Sequence, residues 1–475
     1  MNFQVGLLLP ELVLAGMGML VLLGGVLRFS PQVAFFLTNL AFVASGVAAV
    51  VVGEREGTFF GGMAAFDRFA LFFRLLFLLA GILVAWLSHP FLLRAGRNPW
   101  EYDALLLFAT LGMCLLASGV HLAGLYVSLE LMALASYILA GYFRSEVKSH
   151  EAATKYFVLG ALSSGILVYG LSLVYGATGT LSLQELAAQL AQAKPSPALL
   201  AGLFLLLAGM LFKVAAVPFH VWTPDVYEGA PTPITAFFSV GPKAAAFALL
   251  VRVLWTGFAP LAADWRELLA WVAAATMIWG NVAALTQDNV KRMLAYSSIA
   301  HAGYALLGLI AGGALGVQSV LFYLLVYTVT NLGAFGVVAL LASDEYAGEK
   351  VSDFRGLGRR QPLAAFAMLL FLLSLGGIPP TAGFMGKLYL FAAAVHAGFA
   401  WLAVVGVLMS AVSLYYYFRI VKEMYLSAEE QGLPVLGEAW GVRALSVCAA
   451  ATLILGILPG QALTFTAPAA AIWPW

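Results

Sequence analysis

Apolar stretches of about 20 residues recur along the chain as far as residue 460. Inside a lipid bilayer every backbone N–H and C=O group must find its partner within the protein, so a segment of this length that crosses the membrane is a helix. Because 63% of the 475 residues are apolar and only 10% are charged, a soluble fold could not bury the apolar surface. The sequence therefore predicts an all-α polytopic membrane protein.

The apolar stretches predict about 14 transmembrane helices, numbered here as spans 1 to 14. They are placed near 5–27, 31–52, 67–93, 102–119, 121–143, 151–175, 198–225, 232–256, 263–286, 290–312, 316–342, 363–395, 398–424 and 440–460. The segment SLQELAAQLAQAK between spans 6 and 7 has leucines on one face, which predicts a short helix on the membrane surface. No loop is long enough for a second folded domain, so residues 1–475 are expected to form a single membrane domain.

Lys and Arg are unevenly distributed among the loops. Fourteen lie in the loops that follow odd-numbered spans, and four lie on the other side: Arg55, Arg68, Lys194 and Arg266. Because cytoplasmic loops are enriched in Lys and Arg, this bias places both termini on the non-cytoplasmic side.

Several classes of function are excluded by the composition. The net charge of +1 gives no basis for binding nucleic acid. Cys114 and Cys448 each lie alone in an apolar run, so this chain by itself cannot hold an iron–sulfur cluster. No dinucleotide or phosphate-binding glycine motif is present. We therefore expect no cofactor, nucleotide or metal site within the chain.

Four ionisable residues lie deep within predicted spans: Glu130, Lys213, Lys243 and Lys387. A charged side chain at the centre of a spanning helix costs about 2.5 to 3.5 kcal/mol on insertion scales, so such residues face protein or water and usually serve a function. Arg74, Arg252 and Glu11 lie near span ends, and for these we expect side chains that reach the interface. Lys155 follows Glu151 by four residues, the spacing of a helical ion pair.

Two spans contain helix-breaking residues. Span 7 contains Pro218, and span 12 contains Gly376, Gly377, Pro379 and Pro380. Interrupted helices in corresponding positions of two halves are typical of internally repeated transporters, and their free backbone ends gather water and ions. Lys213 precedes its break whereas Lys387 follows its own, and a simple repeat does not account for that difference.

These residue types suit a proton relay. Burial disfavours the ammonium form of a lysine, and an approaching carboxylate restores it. Glu130 is the candidate carboxylate for Lys213. His220 and His301 are equally consistent with proton carriers and with hydrogen-bonded core histidines.

Five segments carry a family resemblance. They are YVSLELMALASYIL, SHEAATKYFVLGALSSG, FKVAAVPFHVWTPDVYEGAPTPITAF, NVKRMLAYSSIAHAGY and LSLGGIPPTAGFMGKL. In this order, from about residue 100 to 425, they resemble the antiporter-like subunits of respiratory complex I, most closely the N type. The resemblance implies two inverted five-helix repeats, each with a broken helix: 101–256 (spans 4–8) and 263–425 (spans 9–13). Residues 1–100 would hold spans 1–3, and 426–475 the single C-terminal helix.

The resemblance also implies roles for individual residues. Glu130 would be the acidic partner, Lys213 the lysine of the first broken helix, Lys243 the central connecting lysine and Lys387 the second-channel lysine. Lys155 would modulate proton transfer, and His220 and His301 would lie along the hydrated axis between the half-channels.

The resemblance implies a proton-translocating subunit of an NADH–quinone oxidoreductase in a bacterial inner membrane. FMN, iron–sulfur clusters and quinone would belong to partner subunits, which would include homologous antiporter-like subunits; lipid would be the other partner, and nucleic acid would not. Three alternatives stay open: a subunit of an Mrp-like cation/proton antiporter, a membrane subunit of a related hydrogenase or ferredoxin-dependent complex, and a purely structural membrane spacer.

Overall fold

The computed structural model describes residues 5–53, 55–192, 194–341, 348–427 and 439–471. Within these ranges, thirteen helices are long and apolar enough to cross a membrane, and one further span is split into two shorter helices. The all-α polytopic fold predicted from the apolar stretches is confirmed.

The N-terminal unit consists of three long helices and one hairpin. Its elements, after a 3₁₀ turn at Val5–Leu8, are α1 (Leu9–Val26), α2 (Pro31–Val52), β1 (Gly57–Phe59), β2 (Ala64–Phe66) and α3 (Arg68–Arg94). The two strands pair antiparallel, with Gly57 opposite Phe66. Asp67 caps α3, because its side chain accepts a hydrogen bond of 2.8 Å from the backbone N–H of Ala70.

The next unit contains the first interrupted span. Its helices are α4 (Trp100–Ser118), α5 (Leu122–Ala140), α6 (Val147–Thr178), α7 (Leu183–Gln192), α8 (Pro197–Val214), α9 (Thr223–Gly229) and α10 (Thr232–Val251). The chain continues from α10 into one π-helical turn at Arg252–Gly257. The short helix predicted between spans 6 and 7 is α7, and its Leu183, Leu186 and Leu190 are buried.

The remaining elements contain the second interrupted span. The helices are α11 (Ala262–Ala284), α12 (Val290–Ala311), α13 (Gly313–Leu341), α14 (Leu357–Arg360), α15 (Pro362–Gly376), α16 (Ala382–His396), α17 (Ala400–Leu426), α18 (Ala439–Ile457) and α19 (Pro459–Ala470). Short 3₁₀ turns lie at Ala259–Leu261 and Val351–Phe354.

Three helices form the centre of the molecule. More than nine-tenths of the membrane-spanning windows of α10, α12 and α13 are buried, whereas about a third of those of α2, α6 and α17 are. Small residues allow neighbouring helices to approach each other closely. A Cβ on Gly280 of α11 would lie only 2.6 Å from the backbone nitrogen of Ala300 in α12, so a larger residue there would push the two helices apart. The central helices are therefore enclosed by protein, where polar side chains find partners other than lipid.

The expectation that Arg74, Arg252 and Glu11 reach the interface is wrong. Arg74 and Arg252 are both fully buried. Arg74 Nε lies 2.6 Å from Glu11 Oε1, and Arg252 Nη1 lies 2.7 Å from Asp67 Oδ2. The buried carboxylates remove the need to reach water, because they neutralise the guanidinium groups where these lie.

Each buried guanidinium also lies over an aromatic ring. Arg74 lies 4.2 Å from the ring centre of Phe66, and Arg252 lies 4.6 Å from that of Phe69. These contacts add a cation–π attraction to the ion pairs and join α1, α3 and α10 to the hairpin.

Residues 426–475 were expected to hold one helix, and the described part of this segment holds two. α18 ends at Ile457, and α19 begins at Pro459. Proline has no N–H to continue the hydrogen bonds of α18, but it is well suited to the first turn of a new helix. α19 packs against α3 and α13, and so joins the C-terminal segment to the N-terminal unit.

Replacing Arg252 with Met is expected to lower the free energy of unfolding by about 3 to 5 kcal/mol, the loss seen when one partner of a buried ion pair is removed. The Asp67 carboxylate would remain buried without its guanidinium. Denaturant unfolding monitored by near-UV circular dichroism measures the change.

The double variant Arg252→Met, Asp67→Asn is the matched control. It removes the uncompensated charge and keeps an N-cap side chain, so it should recover at least half of the loss. Equal destabilisation of the single and double variants would contradict an ion-pair origin.

Candidate functional site

The first interruption lies immediately after Lys213. α8 ends at Val214, and Ala215 adopts a left-handed conformation with φ of 62°. Helix resumes only at Thr223, so the interruption includes Pro218 and His220. Lys213 therefore occupies the last turn of α8, where the helix dipole favours a positive charge.

Lys213 and Glu130 are each held by a neutral hydroxyl group. Lys213 is 8% exposed, and its Nζ donates a hydrogen bond of 3.3 Å to Tyr137 Oη on α5. Glu130, two turns before Tyr137 on the same helix, accepts a hydrogen bond of 2.5 Å from Ser164 Oγ on α6. Within the described residues, the Glu130 carboxylate oxygens are more than 4.0 Å from Lys213 Nζ, which is too far for an ion pair. The structure thus shows the two groups bound to separate hydroxyl groups rather than to each other.

Tyr137 fits against Gly160 of α6. A Cβ at position 160 would lie 2.1 Å from the Tyr137 hydroxyl oxygen, which leaves no room for a larger residue. This close approach fixes the hydroxyl beside Lys213.

The second interruption brings Lys387 to the end of α15. α15 ends at Gly376, Gly377 has φ of 82°, and α16 begins at Ala382. Lys387 Nζ donates hydrogen bonds of 2.8 Å to the carbonyl of Leu375 and 3.2 Å to that of Gly376. A third bond, of 2.7 Å, goes to Ser410 Oγ on α17.

This geometry accounts for the different sequence positions of the two lysines. Lys213 belongs to the half-helix before its break, whereas Lys387 belongs to the half-helix after its break and its side chain points back. In both cases the lysine is associated with the C-terminal turn of the first half-helix, where the helix dipole favours a positive charge.

Lys243 lies at the centre and binds α12. Its Nζ donates to the backbone carbonyl of Ser298, at 2.6 Å, and also to the Ser298 hydroxyl. One turn further along α12, the ring nitrogens of His301 hydrogen-bond to Tyr323 Oη, at 2.6 Å, and Tyr417 Oη, at 3.3 Å.

A small cavity lies between His301 and Lys387. Its lining includes the polar side chains of Tyr323, Thr330 and Ser374 as well as the His301 ring and the Lys387 ammonium group. Polar groups arranged around a cavity provide the partners that a buried water needs. The structure therefore brings Lys243, His301 and Lys387 into one polar region.

His220 is not part of this region. Its ring packs edge-on against Trp279 at 6.0 Å between ring centres, and Trp279 is half exposed on α11. No hydrogen bond between His220 and the buried lysines occurs within the described ranges. Pro218 and Val221 are exposed, so the segment that carries His220 lies at the periphery of the helices.

Lys155 belongs to a separate ion-pair network at one end of the helices. The Lys155–Glu151 pair inferred from the spacing is present at 2.6 Å, and Lys155 Nζ also lies 2.5 Å from Asp225 Oδ2. Asp225 Oδ1 lies 2.7 Å from Arg292 Nη1 of α12, and Arg292 also contacts Glu228 at 3.2 Å. Asp225 thus joins α6, α9 and α12 around a polar cavity of about 380 Å³.

The neutral partners of the charged groups were not predicted from the sequence. Tyr137, Ser164, Ser298 and Ser410 each contact a charged residue of the site. Hydroxyl residues are common in spanning helices, so their presence alone carries little information. Their positions in the sequence could have identified two of them. Ser298 lies three residues before His301, and Tyr137 lies seven residues after Glu130, so each shares a helical face with a candidate site residue.

The described residues contain no group of three or more His, Cys, Asp or Glu that could hold a metal ion. The buried Glu130, Lys213, Lys243 and Lys387 are single residues spaced along the molecule. Such an arrangement can pass a proton but offers no ligand set for a redox centre.

Comparison with known proteins gives matches over nearly the whole chain. Residues 119–413 match the family model described as NADH:quinone oxidoreductase/Mrp antiporter, TM. A NADH-quinone oxidoreductase subunit N from Trichlorobacter lovleyi is 46% identical over 98% of this chain and 96% of its own length. The subunit N from Moorella thermoacetica is 45% identical over 95% of both chains.

Solved structures show the same fold. A chain of respiratory complex I from Thermus thermophilus with bound aureothin is 38% identical, with a TM-score of 0.83, over 96% of this chain and 99% of its own. A chain of the Mrp complex from Dietzia sp. is 23% identical, with a TM-score of 0.86, over 99% of this chain and 97% of its own.

Replacing Asp225 with Asn is expected to remove two ion pairs and to make stability less sensitive to salt. Because Asp225, Lys155 and Arg292 are partly exposed, each pair contributes only about 0.2 to 1 kcal/mol. The unmodified protein should lose thermal stability between about 0.15 M and about 1 M salt, where screening becomes short-ranged, and the variant should lose less.

Glu151→Gln is the matched control, since it removes only the more exposed contact to Lys155. Its salt response should remain close to that of the unmodified protein. An equal salt response in all three proteins would contradict the role given to Asp225.

Proposed function

We propose that this chain, which belongs to the NADH:quinone oxidoreductase/Mrp antiporter family, moves protons through Glu130, Lys213, Lys243 and Lys387. It is a multi-pass membrane subunit of the N type of the proton-translocating NADH–quinone oxidoreductase, complex I, and proton translocation is the general role of the family. FMN, iron–sulfur clusters and quinone belong to partner subunits, among which are other antiporter-like membrane subunits.

One observation carries the proposal. Lys213, Lys243 and Lys387 are all buried within a membrane protein, and among the described residues each is bound by neutral oxygen atoms rather than by a carboxylate. A permanent structural cation at this depth would normally be paired with an anion, as Arg74 and Arg252 are. Neutral partners suit a group that alternates between the charged and the uncharged form.

Glu130 supplies the control of the first site. When its carboxylate leaves Ser164 and approaches Lys213, the ammonium form is stabilised and Lys213 takes up a proton. When Glu130 returns to Ser164, the lysine is left with only Tyr137 and a desolvated charge, so it releases the proton. Moving one proton against a membrane potential of 100 mV requires about 2.3 kcal/mol, and making and breaking one such ion pair can supply this free energy.

The released proton passes from Lys243 to Lys387. Lys243 is bound to Ser298, and His301 lies one turn further along α12 at the polar cavity that Lys387 also lines. A histidine with hydrogen bonds at both ring nitrogens can accept a proton at one and donate from the other. We assign no step to His220, because it has no hydrogen bond to these residues within the described ranges.

The division of the chain follows from the two breaks. The pairs α8/α9 and α15/α16 occupy corresponding places in 101–256 and 263–425, which supports two inverted five-helix repeats. Lys155 and Asp225 lie at the end of the first repeat that carries the Lys- and Arg-rich loops, and there they would modulate proton entry.

The same loop charges support the proposed location. Both termini would lie on the non-cytoplasmic side of a bacterial inner membrane, with the Asp225 network facing the cytoplasm.

Replacing Lys213 or Lys387 with Ala is expected to lower the number of protons pumped per electron while electron transfer to quinone continues. Loss of a positioned proton-transfer group slows the transfer by about 10² to 10⁴-fold, so this subunit's share of pumping should disappear. Proton uptake by proteoliposomes of the whole complex, measured together with NADH oxidation, gives the ratio.

Lys422→Ala is the control, since Lys422 is exposed at the end of α17. An unchanged ratio in both the Lys213 and the Lys387 variants would overturn the relay. Sodium-dependent proton flux in the absence of an electron donor would instead indicate a cation/proton antiporter.

Single cysteines at Arg144 and Lys194 are expected to react from opposite sides of the membrane. Both positions are exposed, whereas native Cys114 and Cys448 are buried and should remain unlabelled. A membrane-impermeant maleimide should label Arg144→Cys only in inside-out vesicles and Lys194→Cys only in right-side-out vesicles. The reverse pattern would invert the proposed orientation.

A further inference from the structure

α11 and α18 carry the same sequence pattern. Residues 273–280 of α11 read AAATMIWG, and residues 449–456 of α18 read AAATLILG, so both follow Ala-Ala-Ala-Thr-x-Ile-x-Gly. α11 is the first α-helix after the unit that contains the first break, and α18 is the first after the helices that contain the second. The pattern therefore occurs at corresponding places after the two broken spans.

The threonine of each copy uses its hydroxyl hydrogen within its own helix. Thr276 Oγ1 donates a hydrogen bond of 2.6 Å to the carbonyl of Val272, and Thr452 Oγ1 donates one of 2.8 Å to that of Cys448. Both threonines are fully buried. Because a hydroxyl group has one hydrogen, each oxygen can then only accept a further hydrogen bond. Each copy of the pattern thus offers one buried acceptor to a neighbouring segment.

At the first break, Thr276 accepts a hydrogen bond from the interrupted backbone. Val217 lies between the end of α8 at Val214 and the start of α9 at Thr223. Its N–H donates a hydrogen bond of 3.0 Å to Thr276 Oγ1. A backbone N–H within the membrane needs such a partner when the helix does not supply one. Thr276 therefore fixes the chain four residues after Lys213.

At the second break, the glycine of the pattern packs on the interrupted backbone. A Cβ on Gly456 would lie 2.2 Å from the carbonyl oxygen of Pro380 and 2.6 Å from the backbone nitrogen of Ala382. Any larger residue at position 456 would therefore displace 380–382. Ala382 is the first residue of α16, the half-helix that carries Lys387.

Thr452 is linked to the second break through two further hydroxyl groups. Thr330 Oγ1 of α13 lies 3.5 Å from Thr452 Oγ1 and 3.2 Å from Ser374 Oγ, near the end of α15. Ser374 Oγ in turn accepts a hydrogen bond of 3.0 Å from the N–H of Gly383, near the start of α16. α18 is therefore connected to both half-helices between which Lys387 is bound.

We infer that α11 and α18 are positioning helices, each of which fixes one break and thereby the lysine beside it. Thr276 acts on Lys213 through the backbone at Val217, and Gly456 acts on Lys387 through 380–382. A misplacement of about 1 Å can slow a reaction by about 10²-fold, so fixing each break matters for proton transfer. The inference rests on the proposed proton relay and gives α18, which lies outside both repeats, a part in it.

Replacing Thr276 with Val tests the first break. Valine has nearly the same shape as threonine but cannot accept the hydrogen bond from Val217, so the break should shift and transfer through Lys213 should slow by about 10²-fold. Protons pumped per electron, measured with proteoliposomes of the whole complex during NADH oxidation, should fall to the value of Lys213→Ala. Thr276→Ser keeps the hydroxyl group and should retain the unmodified ratio.

Replacing Gly456 with Ala tests the second break. The added Cβ should displace 380–382, and the number of protons per electron should fall to the value of Lys387→Ala. Gly460→Ala is the matched control, because a Cβ there would meet no atom of the described residues within 4 Å. Its ratio should equal that of the unmodified complex.

The rate of quinone reduction by the detergent-solubilised complex verifies that each variant has assembled. Thr452→Val and Thr452→Ser are the corresponding pair for the second break and cover the case in which Gly456→Ala does not assemble. The valine variant should lower the ratio, and the serine variant should retain it. An unchanged ratio in an assembled variant of either break, Thr276→Val or Gly456→Ala, would overturn the inference.

Cryo-EM maps of the variant complexes give a second readout that a general loss of stability would not produce. In Gly456→Ala, Lys387 should move away from the carbonyls of Leu375 and Gly376, whereas the contact between Lys213 and Tyr137 should remain. Thr276→Val should show the opposite pattern. Unchanged lysine contacts in both maps would overturn the inference.

The positioning helices and the relay fail in distinguishable ways. Lowered pumping in Lys387→Ala together with normal pumping in Gly456→Ala would overturn the inference alone. Normal pumping in both Lys213→Ala and Lys387→Ala would overturn the relay, and displaced lysines in the two maps would then still support the positioning of the breaks.

Discussion

A backbone carbonyl that loses its helical partner inside the membrane must be satisfied by protein or by water, and the two interrupted helices create such carbonyls at the centre of this molecule. At the second break the Lys387 ammonium group occupies this position, bound to the carbonyls of Leu375 and Gly376. The interruption and the buried cation therefore stabilise each other. Without the break the lysine would lose its two carbonyl acceptors. Without the lysine the Leu375 carbonyl would lose its donor, whereas the Gly376 carbonyl also accepts a hydrogen bond of 3.0 Å from Ser410 Oγ.

The same dependence explains the central helices. Lys243 is bound to Ser298, and Asn331 of α13 donates a hydrogen bond of 2.6 Å to Ser239 of α10, so α10, α12 and α13 are joined by polar contacts as well as by packing. These contacts are stable because the outer helices exclude lipid from them. The long apolar surfaces of α2, α6 and α17 thus enclose the buried polar groups of α10, α12 and α13.

Much of this arrangement could be predicted from local sequence. Apolar length located the spans, proline and glycine located the breaks, and the cost of burying charge identified Glu130, Lys213 and Lys387. The exceptions depend on contacts between distant segments. Arg252 and Asp67 are 185 residues apart, and nothing local in the sequence indicates that they meet. The partners Ser164, Ser298 and Ser410 were missed for the same reason. The packing of the His220 ring against Trp279 could not be predicted either, because contacts with α11 set the direction of the chain after the break.

The partners of the two broken-helix lysines have a further consequence. Lys213 has a carboxylate within reach, so its charge can be set by the movement of one side chain. Within the described residues, the hydrogen bonds of Lys387 go to two carbonyl groups at the end of α15 and to the hydroxyl group of Ser410 in the middle of α17. Its charge is therefore set mainly by the charges that arrive near it, at His301 and Lys243. In the proposed relay the first lysine would respond to a change in structure and the second to a change in local potential, so one protein would combine a mechanical input with an electrical output.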